Sequence, residues 1–128
     1  MLKNYLSHVA EREALGIPPL PLDAKQTKDL TELLEQPDKE IDKNLLLDLL
    51  INRIPPGVDE ASYVKATWLS SIAQEESKSP LVSPLKATEL LGTMIGGYNV
   101  SALIKILKSN NKELATAASN ALSNTLLV

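Results

Sequence analysis

The sequence predicts an all-α fold, and three observations carry that expectation. Apolar residues recur at intervals of three and four along nearly the whole 128-residue chain. Outside a short proline-bearing stretch, Ile17–Leu22, no segment shows the period of two that a half-buried strand requires. Capping residues, prolines and glycines divide the periodic run into about seven pieces of helical length.

In the first piece Leu2, Leu6, Val9 and Ala10 share a face, and Gly16 suits the left-handed position after a helix. Ile17–Leu22 carries Pro18, Pro19 and Pro21, which remove backbone donors and fix φ, and reads as a strap laid across a neighbour. Asp23 with Gln26 forms a capping-box pattern for a second helix whose inward stripe is Leu30, Leu33 and Leu34, stopped by Pro37. A third helix, Glu40 to Ile54, is apolar nearly all round its Leu45–Ile51 segment, which predicts a central helix covered on several sides. Pro55-Pro56-Gly57 closes it.

Asp59 caps a fourth helix with Ala61, Val64, Trp68, Leu69, Ile72 and Ala73 inward. Ser83-Pro84 opens a fifth, with Ala87, Leu90, Leu91, Met94 and Ile95 inward and Gly96-Gly97 at its end. The sixth presents Val100, Leu103, Ile104 and Leu107. Asn110, with Glu113, caps the seventh, where Leu114, Ala117, Ala118, Ala121, Leu122, Thr125 and Leu126 form the clearest stripe in the chain.

Composition narrows the function classes. With 44% hydrophobic and 23% charged residues the chain is a folded domain, and its length suits a single one. The absence of cysteine excludes a disulfide scaffold, a thiolate zinc site and an iron–sulfur cluster ligated by this chain. A single histidine, His8, disfavours a histidine metal site or a Ser–His triad. A net charge of −3 is the wrong sign for gripping a phosphate backbone, so nucleic acid is a disfavoured partner for this domain. No apolar run approaches the roughly 18 residues that span a bilayer, so no membrane partner is expected. MLKNYLSHVAEREALG lacks a signal peptide's continuous apolar stretch, and the expected compartment is the cytoplasm.

No constellation reads as an active site. The carboxylate pairs Asp59-Glu60, Glu75-Glu76 and Glu40 with Asp42 fall at helix ends, where acids cap or solvate. Gly92-Thr93-Met94-Ile95-Gly96-Gly97 matches no phosphate-cradling pattern. Catalytic, cofactor-binding and metal residues are therefore expected to be none in this chain. Trp68 is a core residue, whereas Tyr63, Tyr98 and Arg53 pair an apolar body with a polar tip and are candidate partner contacts.

Helices three to seven have similar lengths and short Pro, Gly or Asn turns, the grammar of α-solenoids. The last pair, VSALIKILKSNNKELATAASNALSNTL, resembles a HEAT repeat. A HEAT-like α-α superhelix of about seven helices is the expected architecture, with a plain seven-helix bundle as the alternative. Repeat turns line one rim of a solenoid, which makes Arg53–Val58 and Gly96–Asn99, including Gly96, Gly97, Tyr98 and Asn99, candidate interdomain contacts. Thr125-Leu126-Leu127-Val128 is an apolar, uncapped terminus, as expected of a single domain, residues 1–128, cut from a longer protein.

Three segments together carry a family resemblance: HVAEREALGIPPLPLDAKQT (His8 to Thr27), LLLDLLINRIPPGVDEASYVKATWLSSIA (Leu45 to Ala73) and SPLVSPLKATELLGTMIGGYNVSALI (Ser79 to Ile104). They resemble the N-terminal domain of bacterial aconitase B, and ALSNTLLV fits that domain's last helix. The resemblance implies a cytoplasmic tricarboxylic-acid-cycle hydro-lyase that interconverts citrate and isocitrate and also dehydrates 2-methylisocitrate. It implies a [4Fe–4S] cluster held by three cysteines elsewhere in the full-length enzyme. For this domain it implies a non-catalytic HEAT-like module that packs on the catalytic domains of the same chain, shapes substrate access and takes part in dimerisation and other protein contacts. This chain lacks the cysteines and the substrate-binding segments, so no catalytic residue carries over, and the fragment alone is expected to be inactive. The alternative is a free-standing helical-repeat protein-binding module with no enzymatic role.

Overall fold

The computed structural model describes residues 2–37, 41–54, 59–94, 97–109 and 111–126. The expectations placed on Glu40, the Pro55–Val58 turn, Ile95, Gly96, Asn110, Leu127 and Val128, and on the side chains of Leu2, Thr125 and Leu126, lie outside the described residues. Seven helices and no strand are found among them: α1 (Leu2–Ala14), α2 (Ala24–Glu35), α3 (Lys43–Asn52), α4 (Glu60–Ala73), α5 (Pro84–Leu91), α6 (Tyr98–Leu107) and α7 (Lys112–Leu126).

Local chemistry sets most of the helix starts. Asp23 accepts from the Gln26 amide while the Gln26 side chain accepts from the Asp23 amide, completing the predicted box. Asp42, Asp59 and Ser83 cap α3, α4 and α5, the last with proline in its first turn. At α7 the Asn111 side chain accepts from the Leu114 amide, so Asn111 takes the capping role that was expected of Asn110. Gly16 has φ +71°, the left-handed conformation expected after α1.

The helices form two rows. α2, α4 and α6 lie side by side in one, and α5 packs on α7 in the other. The consecutive pairs α4–α5 and α6–α7 bridge the rows. The all-α class is as expected. The core runs between the rows and includes Leu30, Leu34, Leu46, Leu50, Leu69, Ile72, Leu91, Met94, Leu103 and Ile106.

Four expectations about these elements are corrected. The central helix is α4, which packs on α2, α5 and α6, whereas α3 packs chiefly on α2 and leaves Ile51 exposed. Apolarity all round α3 reflected its leucine run and not its enclosure. In α1 the residue that enters the core is Tyr5, and Leu6 and Ala10 face solvent, because the inward face must also bond the strap. α5 ends at Leu91 with Gly92 as its cap, and Met94 is buried beyond it in the turn. In α6 the buried residues are Asn99, Ala102, Leu103 and Ile106, while Ile104 and Leu107 are exposed.

Polar residues also enter the core. Thr27 and Thr31 on α2 donate to the carbonyls of Asp23 and Lys28, which removes the cost of burying their hydroxyls. The Ser79 hydroxyl donates to the Leu34 carbonyl and ties the α4–α5 connection to the end of α2.

Candidate interaction surface

α4 and α6 run side by side with a shallow cleft of about 400 Å³ between them. Tyr63, Thr67, Ser70 and Gln74, spaced i, i+4, i+7 and i+11, line its α4 wall. Tyr98, Ser101 and Lys105, at i, i+3 and i+7, line the α6 wall. Tyr98 begins α6 and Tyr63 lies in the first turn of α4, and stacking α4 on α6 brings their rings edge to face, with centroids 5.3 Å apart and planes at 70°. Tyr63 is 56% exposed and Tyr98 37%, a pairing that partner surfaces favour, because each ring presents large area with few rotatable bonds. Glu76 and Lys105 put opposite charges on the same cleft.

The cleft offers binding groups and not a reacting constellation. Gln74 Nε2 donates to Ser70 Oγ at 2.6 Å, and Ser71 Oγ donates to the Trp68 carbonyl, so neither hydroxyl faces a base. The single histidine is committed to the strap, where its Nε2 accepts from the Leu20 amide. Among the described residues no group of three or more His, Asp or Glu converges on a metal position.

The candidate contact residues separate into different places. Tyr63 and Tyr98 meet in the cleft. Gly97, with φ +97°, starts α6 immediately before Tyr98 and is exposed. Asn99 is fully buried, and its side-chain amide donates to the Leu91 and Met94 carbonyls at 2.8 and 3.1 Å. It therefore holds the α5–α6 turn together and is not an accessible contact. Arg53 caps α3 and its carbonyl accepts from the Leu22 amide, so it anchors the strap and stands apart from the tyrosine pair. Gly96 lies outside the described residues.

Sequence reasoning missed Thr67, Ser70, Gln74, Ser101 and Lys105 as cleft residues. The signal was present as a polar stripe running down α4 from Tyr63, parallel to the apolar one. It also missed Lys65, which is only 3% exposed on the inward face of α4. Burial lowers its amine to about 8, because a charged ammonium is penalised away from water. Trp68 is buried as expected, and its Nε1 has no hydrogen-bond partner among the described residues.

The family model described as the Aconitate B N-terminal domain matches residues 4–128. The chain belongs to the aconitase B N-terminal domain family. It is 58% identical over 128 residues to aconitate hydratase B of Synechocystis sp., covering 100% of this chain and 15% of that protein. The Escherichia coli protein of the same name is 57% identical over 128 residues, with 100% of this chain and 14% of its own length covered. That of Helicobacter pylori is 46% identical over 127 residues, covering 99% and 15%. The chain thus spans about one-seventh of the curated relatives it matches. Within the aconitase B N-terminal domain the cleft lies between two members of one helix row, and no described helix is long and apolar enough to cross a membrane.

Proposed function

We propose that this chain is the non-catalytic N-terminal module of an aconitate hydratase B, docking on the catalytic remainder of the same protein, supporting dimerisation and shaping access of citrate and isocitrate. The observation that carries this reading is the match of the whole chain to only 14–15% of relatives named for the hydratase. A two-row scaffold bearing an exposed aromatic pair, with no converging nucleophile and base among the described residues, suits docking better than bond-breaking.

The [4Fe–4S] cluster that the family resemblance implies does not fit the residues here. With no cysteine the chain offers none of the thiolates such a cluster takes, and its lone histidine is engaged with the strap. The cluster and the hydro-lyase chemistry are accordingly assigned to the remainder of the protein.

The test is made on the native gene product. An immunoblot of cell extract against this domain gives a band several-fold heavier than 13.9 kDa if the reading holds. A band at that mass overturns it. In the longer protein, the Tyr63→Ala/Tyr98→Ala pair is expected to change oligomeric state or KM while cluster absorbance is unchanged. Loss of the cluster, with oligomeric state and KM unaltered, would count against a docking role.

A further inference from the structure

Pro18, Pro19 and Pro21 leave the strap, residues 17–22, with backbone donors only at Ile17, Leu20 and Leu22. Ile17 donates to the Arg12 carbonyl at 3.0 Å and Leu22 to the Arg53 carbonyl at 2.8 Å, and neither acceptor titrates. Leu20, between them, donates to His8 Nε2 at 2.9 Å. A ring nitrogen accepts only while it carries no proton, and a protonated imidazole is a donor at both nitrogens. Histidine is the side chain that ordinarily changes charge between about pH 5 and 8. The middle of the strap is thus held by a bond that a single proton abolishes, since two N–H groups would then face each other.

The surroundings of His8 give the charged ring a place to go. On α1, Glu11 and Arg12 stand three and four positions further on, and Arg12 is engaged by the Pro18 carbonyl. The Tyr5 and His8 rings lie 5.9 Å apart, centroid to centroid. The strap itself carries no ionisable side chain. Beyond it, His8, Leu20, Asp23 and Gln26 line one small hollow of about 280 Å³, so Asp23 is the charged group that faces His8 from the start of α2. One Asp23 oxygen accepts from the Gln26 amide and caps α2. A carboxylate has a second oxygen, which can take an imidazolium donor while the cap stays in place.

We propose that His8 is a pH-sensitive latch on the strap. On taking up a proton it exchanges the Leu20 amide for the Asp23 carboxylate, and the middle of the strap lifts from α1. The change is local. The Ile17 and Leu22 bonds still fix both ends of the strap, and the Tyr5 hydroxyl still reaches the Leu20 carbonyl. α1 is the element loosened, because it has little helix–helix packing of its own. The latch stands on this geometry alone and is independent of the docking role proposed above.

The experiment is hydrogen exchange of the full-length protein, read by mass spectrometry at pH 7.5 and 5.5 and corrected for the intrinsic pH dependence of exchange. A peptide spanning the strap is expected to lose about tenfold in protection at pH 5.5, on the order of one hydrogen bond's net worth. A peptide from α7 is expected to be unchanged. In His8→Gln the side-chain carbonyl accepts at either pH, so the strap should stay protected throughout. Equal strap protection in the wild type at both pH values overturns the proposal. So does an equal loss in α7, or a loss in His8→Gln as large as in the wild type. If His8→Gln fails to hold the strap even at pH 7.5, Asp23→Asn decides. Asparagine still caps α2 but offers the imidazolium no charge, so the loss should move to lower pH. A loss at an unmoved pH overturns the exchange.

Discussion

The backbone N–H of Leu20 donates to His8 Nε2 at 2.9 Å, while the carbonyl of the same residue accepts from the Tyr5 hydroxyl at 3.0 Å. Arg12 Nε adds a bond to the Pro18 carbonyl. Tyr5, His8 and Arg12 stand at i, i+3 and i+7 on α1, so one helix face grips the backbone of a strap that has three prolines. α1 has little helix–helix packing of its own, and these bonds, with the Tyr5 ring in the core, hold it in place.

Tyr5→Phe and His8→Ala are each expected to cost about 1 kcal/mol, the net worth of one hydrogen bond. Because both act on Leu20, the double variant should cost less than the sum, since the first change already loosens the strap. Urea midpoints for the two single variants and the double one decide this. Strictly additive losses would mean that the two bonds act independently.

Lys65 predicts a pH dependence with a definite sign. Burial lowers its amine from an ordinary 10.5 to about 8, so between those values the unfolded chain binds a proton that the folded chain does not. Stability therefore rises with pH from about 8 and is lost as pH falls back through 8. The window narrows near pH 10, where burial, against the partial opposition of Arg53, pushes the Tyr5 phenol above its ordinary range. Lys65→Met, which keeps the stem and removes the charge, should flatten this rise and stabilise the protein at pH 7, with a ceiling of about 3 kcal/mol. Denaturant unfolding at pH 7, 8 and 9.5 measures both effects, and a wild-type curve already flat over that range would refute them.

Gly92 is needed for space and not for backbone freedom. A Cβ built there lies 2.7 Å from the Cβ of Ala121, across the α5–α7 contact. Gly92→Ala should cost about 1–3 kcal/mol, because the two helices must part. Gly92→Ala combined with Ala121→Gly should recover much of that loss despite the poorer helix propensity of glycine. Thermal unfolding of the set reads this directly, and a single variant as stable as wild type would show that the helices yield freely.

The legibility of the fold follows the range of each interaction. The Asp23–Gln26 box, the Asp59 cap and the Ser83-Pro84 start were readable because they are satisfied within four residues. The α7 stripe was readable as well, since one face meets one neighbour, and Leu114, Ala118, Ala121 and Leu122 are buried as expected. In α6 the apolar period did not identify the buried face, because two faces are apolar and only packing chooses between them. Tyr63 and Tyr98 were legible as amphipathic side chains. Their meeting was not, being separated by 35 positions and joined only when α4 stacks on α6.

By itself the sequence determined the helical class, the positions of most caps, the strap and the family, all of which depend on local spacing or on the identity of long motifs. The tertiary structure decided that α4 and not α3 is central, that Asn99 supports a turn while Tyr98 beside it faces the cleft, and that Lys65 is enclosed. The physical reason is that burial belongs to pairs of elements. A helix specifies which residues share a face, but only the neighbour it meets determines which face leaves water.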